Sequence, residues 1–144
     1  MQPIAVAMLQ PAIALVLWSF VMWSWMYVTR IPAINAMKMR LDPNAPRGEQ
    51  MSQLPPQVRW KADNYNHLME QPTLFYPVAL ALAMIGDAST VSLALAWGYV
   101  ALRVAHSLWQ ALVNVIVPRF ALFFVSSLVL LALAIRAAVL ICGH

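Results

Sequence analysis

The chain has 144 residues, 62% of them hydrophobic and 10% charged, with a formal net charge of +4 and a mean hydropathy of +0.72. Such a composition lies far from an ordinary globular domain and identifies an integral membrane protein. The basic residues are neither clustered nor interleaved with aromatics on a solvated face, which argues against nucleic acid; no repeat of roughly 20 to 50 residues recurs, which excludes a solenoid or propeller; and the single cysteine, Cys142, excludes an intrachain disulfide framework and a CxxC metal site.

The first apolar segment, Ile4 to Thr29, carries no charged side chain and is long enough to cross ~30 Å of hydrocarbon. It is too long for a cleaved signal peptide and lacks the basic leader. The second runs from about Val58 to Ile85, polar in its first turns and apolar after Thr73. Gly86-Asp87-Ala88-Ser89 then forms a turn. A third segment covers about Val91 to Val113 and a fourth about Pro118 to Ile141, Pro118 being suited to a helix's first turn. Short connections imply antiparallel neighbours, so the expected fold is all-α: one domain over 1–144, an up-down four-helix bundle with helices at about 4–30, 58–85, 91–113 and 118–141. Cys142, with no nearby charge to lower its pKa, is expected to be buried and inert.

Residues 31–57 form the one substantial loop, and with Arg30, Arg59 and Lys61 at its edges it concentrates six of the nine Lys and Arg residues. By the positive-inside rule this loop is cytoplasmic and both termini lie on the opposite side. Arg119, in the third connection, fits that orientation; Arg136 does not, and is expected to snorkel to the far interface.

The stretch "KADNYNHLMEQPTLFYP" at Lys61 to Pro77 passes from charged and amide residues into hydrocarbon. At about 100° per residue, Arg59, Asp63, Asn66, His67 and Glu70 form one stripe. Tyr99, Arg103, His106, Ser107, Gln110 and Asn114 form another, while Leu102, Ala105, Leu108 and Leu112 take other faces. Two polar stripes in one bundle should face each other, with Glu70 and Arg103 at similar depth and neutralising one another, since an ionised group in hydrocarbon costs a few kcal/mol. Pro72 removes the hydrogen bond to the Leu68 carbonyl and frees that acceptor. A single bridge would be mere architecture. The surplus of polar residues instead suggests a cavity for a small anionic or zwitterionic ligand.

Four spans, a long first loop, "KADNYNHLMEQPTLF" and "YVALRVAHSLWQ" together resemble MAPEG, the membrane-associated proteins in eicosanoid and glutathione metabolism, in its bacterial type. The most specific part is Arg103-Val104-Ala105-His106-Ser107, similar to the Arg-x-x-His core of the family's third helix. Lys61, Ala62, Asn66 and Pro72 fit the second-helix pattern approximately, with Glu70 one residue later than the family's glutamate. The resemblance implies a homotrimer in a bacterial inner membrane, with glutathione bound as cosubstrate between protomers and a lipophilic substrate entering from the lipid. It further implies that Arg30, Arg59, Lys61, Asn66, Glu70, Arg103, His106 and Gln110 hold glutathione. Its carboxylates would go to the cations and its ammonium to Glu70 or Asp63. Arg119, directly after Pro118, matches the arginine that stabilises the thiolate in members that activate glutathione.

Gln110 stands where several catalytic relatives have tyrosine. Two readings follow: a glutathione-dependent transferase or peroxidase acting on lipophilic electrophiles, and a non-catalytic lipid-binding or scaffolding protein. A proton or ion path along the Glu70 and His106 stripes is a third, requiring an oligomer.

Overall fold

The computed structural model describes residues 3–143, with side chains from Val6 onward. Met1, Gln2 and His144, on which the placement of both chain ends depends, lie outside it. The described residues are helical, without strands: α1 (Pro3–Ala36), α2 (Glu49–Ser52), α3 (Pro56–Leu68), α4 (Pro72–Met84), α5 (Thr90–Leu112) and α6 (Ile116–Cys142). Among the described residues, three helices are long and apolar enough to cross a membrane, over Val6–Ala36, Thr90–Leu112 and Ile116–Cys142.

The long helices bury one stripe each and turn hydrocarbon outward. In α1, Met8, Pro11, Leu15, Ser19, Met22 and Met26 recur at three- and four-residue steps and are buried. In α6, Ser126, Leu130, Leu133 and Ala137 do the same, while Leu128, Leu131, Ile135 and Val139 stay exposed. Exposed aliphatic rows of this kind suit a lipid environment. α5 packs along α6 and against α1 and α3, α1 also lies on α3 and α4, and α4 touches α6. Phe75 and Tyr99 close the middle of the core, ring centroids 4.7 Å apart.

Several expectations are corrected. The first helix continues past residue 30 to Ala36 despite Pro11 and Pro32, and the 31–57 loop contains the short α2. An interior proline costs one backbone bond, and the rest of the 34-residue helix outlasts that loss. The helix expected over 58–85 is two helices, broken at Met69-Glu70-Gln71. Pro72 has no N–H for the Leu68 carbonyl, and the chain there tightens into three-residue bonds, Met69 N–H to Asn66 O at 2.9 Å and Leu74 N–H to Gln71 O at 2.9 Å. Cys142 is exposed, in the last turn of α6.

Arg136 does not simply reach for water. It ends on the α4–α5 turn, where Gly86 takes φ +78°, a left-handed conformation that favours glycine. There the guanidinium lies 3.5 Å from Asp87 and donates to Ser92 Oγ at 2.5 Å and Ser89 Oγ at 2.8 Å. Ser92 also donates to Asp87, and Ser89 caps α5. Burial alone would raise the Asp87 pKa, but the bonds from Ser92 and Ser89 and the Arg136 charge outweigh it and hold the carboxyl below its usual range. A depressed carboxyl contributes stability above its unfolded pKa of about 3.9 and loses it as pH falls through the lower folded value. Asp87→Asn is therefore expected to lower stability at neutral pH by about 1.5–3 kcal/mol and to abolish the part of the acid-side loss that Asp87 causes. Thermal midpoints of both proteins across the acid range, in one detergent, check this; parallel acid limbs would refute it.

Candidate functional site

The helix break sets up the site. By tightening the last turn of α3 it leaves the His67 carbonyl with only a long bond, 3.4 Å from Glu70 N–H, and Arg103 Nη2 donates to that oxygen at 3.2 Å. The carbonyl in use is thus one residue before the one expected from Pro72. Gln71, within the break, donates to Ser127 Oγ of α6 at 2.6 Å and faces Tyr99 OH of α5 at 3.4 Å. One short irregular segment thereby joins three helices.

Arg103 is 1% exposed. Its Nη1 lies 3.2 Å from His106 Nδ1 and its Nη2 3.3 Å from His67 Nδ1, while the guanidinium lies 5.8 Å from the centroid of the Phe123 ring. Its Nε has no partner, and neither ion pair among the described residues includes it. The expected Glu70–Arg103 pair is not formed. Glu70 lies 3.9 Å from His67 Nδ1 with its side chain 69% exposed. Because that nitrogen faces an Arg103 N–H at shorter range, we read His67 as a neutral acceptor and the Glu70 contact as incidental.

His67 and His106 meet edge to face, centroids 5.0 Å apart, and with Ile116, Arg119, Phe120 and Phe123 they line a cavity of about 150 Å³. Arg119 sits one turn into α6 and donates to Asn114 Oδ1 at 2.6 Å. Asn114 belongs to the α5–α6 connection rather than the α5 stripe, with φ +55°, a conformation asparagine tolerates better than most residues. A guanidinium in the first turns of a helix opposes the macrodipole, so an anion beside it gains from both.

Arg30, Arg59 and Asn66 lie elsewhere, in a cleft of about 390 Å³ whose lining also includes Arg47, Met51 and Asp63. Arg30 and Arg59 each keep a buried Nε without a partner. The expected site residues thus fall into two groups, one facing α1 and the loop, the other facing α5 and α6. The α5 stripe behaves as expected: Tyr99, Arg103, His106, Ser107 and Gln110 are buried. Of the α3 stripe only His67 meets it, through Arg103 and His106. Asp63, Asn66 and Glu70 are exposed, and α3 buries Ala62, Asn64 and Leu68 instead. Asn64, which the wheel reading passed over, accepts from Ser107 Oγ at 3.0 Å. Its spacing to Leu68, a full turn away, was the available signal. Lys61 belongs to neither group: its Nζ donates to Gln57 O at 2.9 Å and Ala111 O at 3.4 Å, stabilising the C-terminal end of α5. Gln110 is buried with Oε1 unpartnered. Among the described residues no cluster of His, Cys, Asp and Glu is suited to a metal ion.

Membrane-length helices around a buried cationic and imidazole cluster define a multi-helix membrane protein with an internal polar site. The chain belongs to the MAPEG family, whose sequence profile matches residues 8–139. That family includes glutathione transferases and also non-catalytic members. Comparison with curated proteins and with solved structures gives no match.

Proposed function

We propose that the protein is a glutathione-dependent membrane enzyme that joins the thiol to lipophilic electrophiles. The observation that carries this reading is Arg103, a fully buried guanidinium with no carboxylate beside it. A buried charge without a counterion is expensive, and a bound anion would supply what the protein leaves out. Arg119 brings a second cation to the same α3–α5–α6 region. In this reading Arg119 stabilises the thiolate, which attacks an electrophilic carbon, forming the S–C bond as the leaving group departs with its electron pair. Arg30, Arg59 and Asn66 hold the carboxylates and amides of the peptide. Glu70 is available to its ammonium, and His106 and Gln110 complete the inner wall. Lys61 supports the frame.

The two groups of residues lie on different sides of α3 within one chain. A homotrimer reconciles them, with the Arg30–Arg59 cleft of one protomer set against the Arg119 side of the next. It would also cover the exposed Asp63, Asn66 and Glu70 face. α3 and α4, stacked across the break, then act as a fourth span of a single-domain bundle. We place the 37–55 connection in the cytoplasm, the chain in a bacterial inner membrane and the lipophilic substrate in the lipid. An apolar cleft of about 460 Å³ between Leu102, Trp109, Pro118 and Leu122 adjoins Arg119 in sequence and suits its approach.

The non-catalytic lipid-binding reading is favoured by one feature: the cavity lining contains no phenol, and Tyr99 is occupied with Gln71. Calorimetry of glutathione with protein in lipid nanodiscs separates the readings. Saturable binding to an assembly of trimeric mass is expected; no binding heat would overturn the enzyme reading and leave the lipid-binding one.

A further inference from the structure

We propose that Arg103 locks His67 and His106 as donors, so that the Nε2–H of His106, with Arg119, forms a hole for a single soft anion. This rests on the glutathione reading for the identity of that anion, a thiolate sulfur. A guanidinium carries only donors. Each Nδ1 facing Arg103 must therefore accept, and a neutral ring that accepts at Nδ1 carries its proton at Nε2. His106 is 1% exposed, yet its Nε2 has no partner in the protein. A buried unpaired N–H is costly, and it belongs to a residue that lines the cavity shared with Arg119.

The cavity holds about 150 Å³, room for a sulfur and its methylene rather than for a whole peptide. Its lining offers imidazole N–H groups and a guanidinium against the faces of Phe120 and Phe123, with no carboxylate. A soft, weakly hydrated anion suits such a setting. The chemistry is ionisation only: the thiol S–H breaks, its proton passes to water, and the sulfur keeps the electron pair and accepts from His106 and Arg119. Neither ring can act as base while Nδ1 is held by Arg103 and Nε2 is protonated. Arg103 is thus a positioning residue, and its role is read from the tautomers.

The chain has three histidines, so selective ¹⁵N labelling resolves them. In protein without ligand, His67 and His106 should both appear as neutral Nε2–H tautomers, and Arg103→Met should abolish that uniformity. Glutathione should shift the His106 Nε2–H resonance, while S-methylglutathione, which cannot ionise, should not. In His106→Phe the thiolate absorbance at neutral pH should fall about threefold or more while calorimetric binding persists, and His106→Gln, whose amide can donate, should recover part of it. An Nδ1–H tautomer at His106 in the wild type, or an undiminished thiolate band in His106→Phe, would overturn the inference. Bromide provides the free-anion arm. If wild type binds no glutathione but bromide shifts the His106 resonance, the hole stands and the glutathione reading falls; if neither shifts it, the hole falls.

Discussion

Arg119→Ala is expected to lower kcat for conjugation of glutathione to an aryl halide about tenfold or more, with glutathione affinity kept within about threefold. A thiol of ordinary pKa, about 8.5, is only a few per cent ionised at neutral pH, and a cation beside the sulfur that lowers it by about one to two units raises the nucleophile about eightfold to twenty-five-fold. The peptide's carboxylates keep their charge throughout, so the residues that hold them act equally on ground and transition states. Arg119→Ala also leaves Asn114 Oδ1 without its donor, so an unchanged thermal midpoint is needed alongside the kinetics to assign the loss to the guanidinium rather than to the α5–α6 connection. Steady-state kinetics with the thiolate band measured in parallel check this. A rise in KM at constant kcat would make Arg119 a binding residue instead.

Arg103→Met is expected to separate stability from ligand response. Removal of the guanidinium strips His67 O, His67 Nδ1 and His106 Nδ1 of donors, each loss worth about 1–3 kcal/mol. It also relieves the core of a cation lacking a counterion, a term of opposite sign and comparable size. The thermal midpoint without ligand should therefore change little. Saturating glutathione should stabilise the wild type, by about 2.7 kcal/mol at a hundredfold excess over Kd, and the variant by less, because the sulfur loses its fixed His106 donor while the Arg30, Arg59 and Asn66 contacts remain. Scanning fluorimetry with and without the peptide reads both quantities. An equal glutathione shift in both proteins would remove Arg103 from the site.

The α5 face was legible in the sequence and the α3 face was not, for a physical reason. α5 is one uninterrupted helix whose polar residues recur at three and four over most of its length, and such a row in a hydrophobic chain has only the interior to face. On α3 the polar residues occupy more than one side. A helical wheel groups Arg59, Asp63, Asn66 and Glu70 together, but cannot tell which side meets the neighbouring helices. Asn64 and Asn66 point nearly opposite ways, and packing chose the former. Pro72 was read as freeing one carbonyl, whereas three residues reset the chain direction and with it the phase beyond them. His67, grouped with the α3 stripe, is the one member that Arg103 reaches across to meet. The family resemblance was legible over nearly the whole chain, because it depends on short motifs whose order survives such shifts.

The break at Met69-Glu70-Gln71 bears on how the chain enters the bilayer during synthesis. α4 has 13 residues, about 20 Å of helix, which is short of the ~30 Å hydrocarbon thickness. α3 would supply the missing length, but it carries Arg59, Lys61 and Asp63, each opposed to partition from the translocon by up to a few kcal/mol at mid-bilayer. This stretch is consequently a poor substrate for insertion alone, whereas α5 and α6 are long and apolar. Lys61 has its acceptor on α5, and Gln71 has its acceptor on α6. The segment therefore gains these interhelical hydrogen bonds only when α5 and α6 are present, so its insertion is expected to depend on their translation.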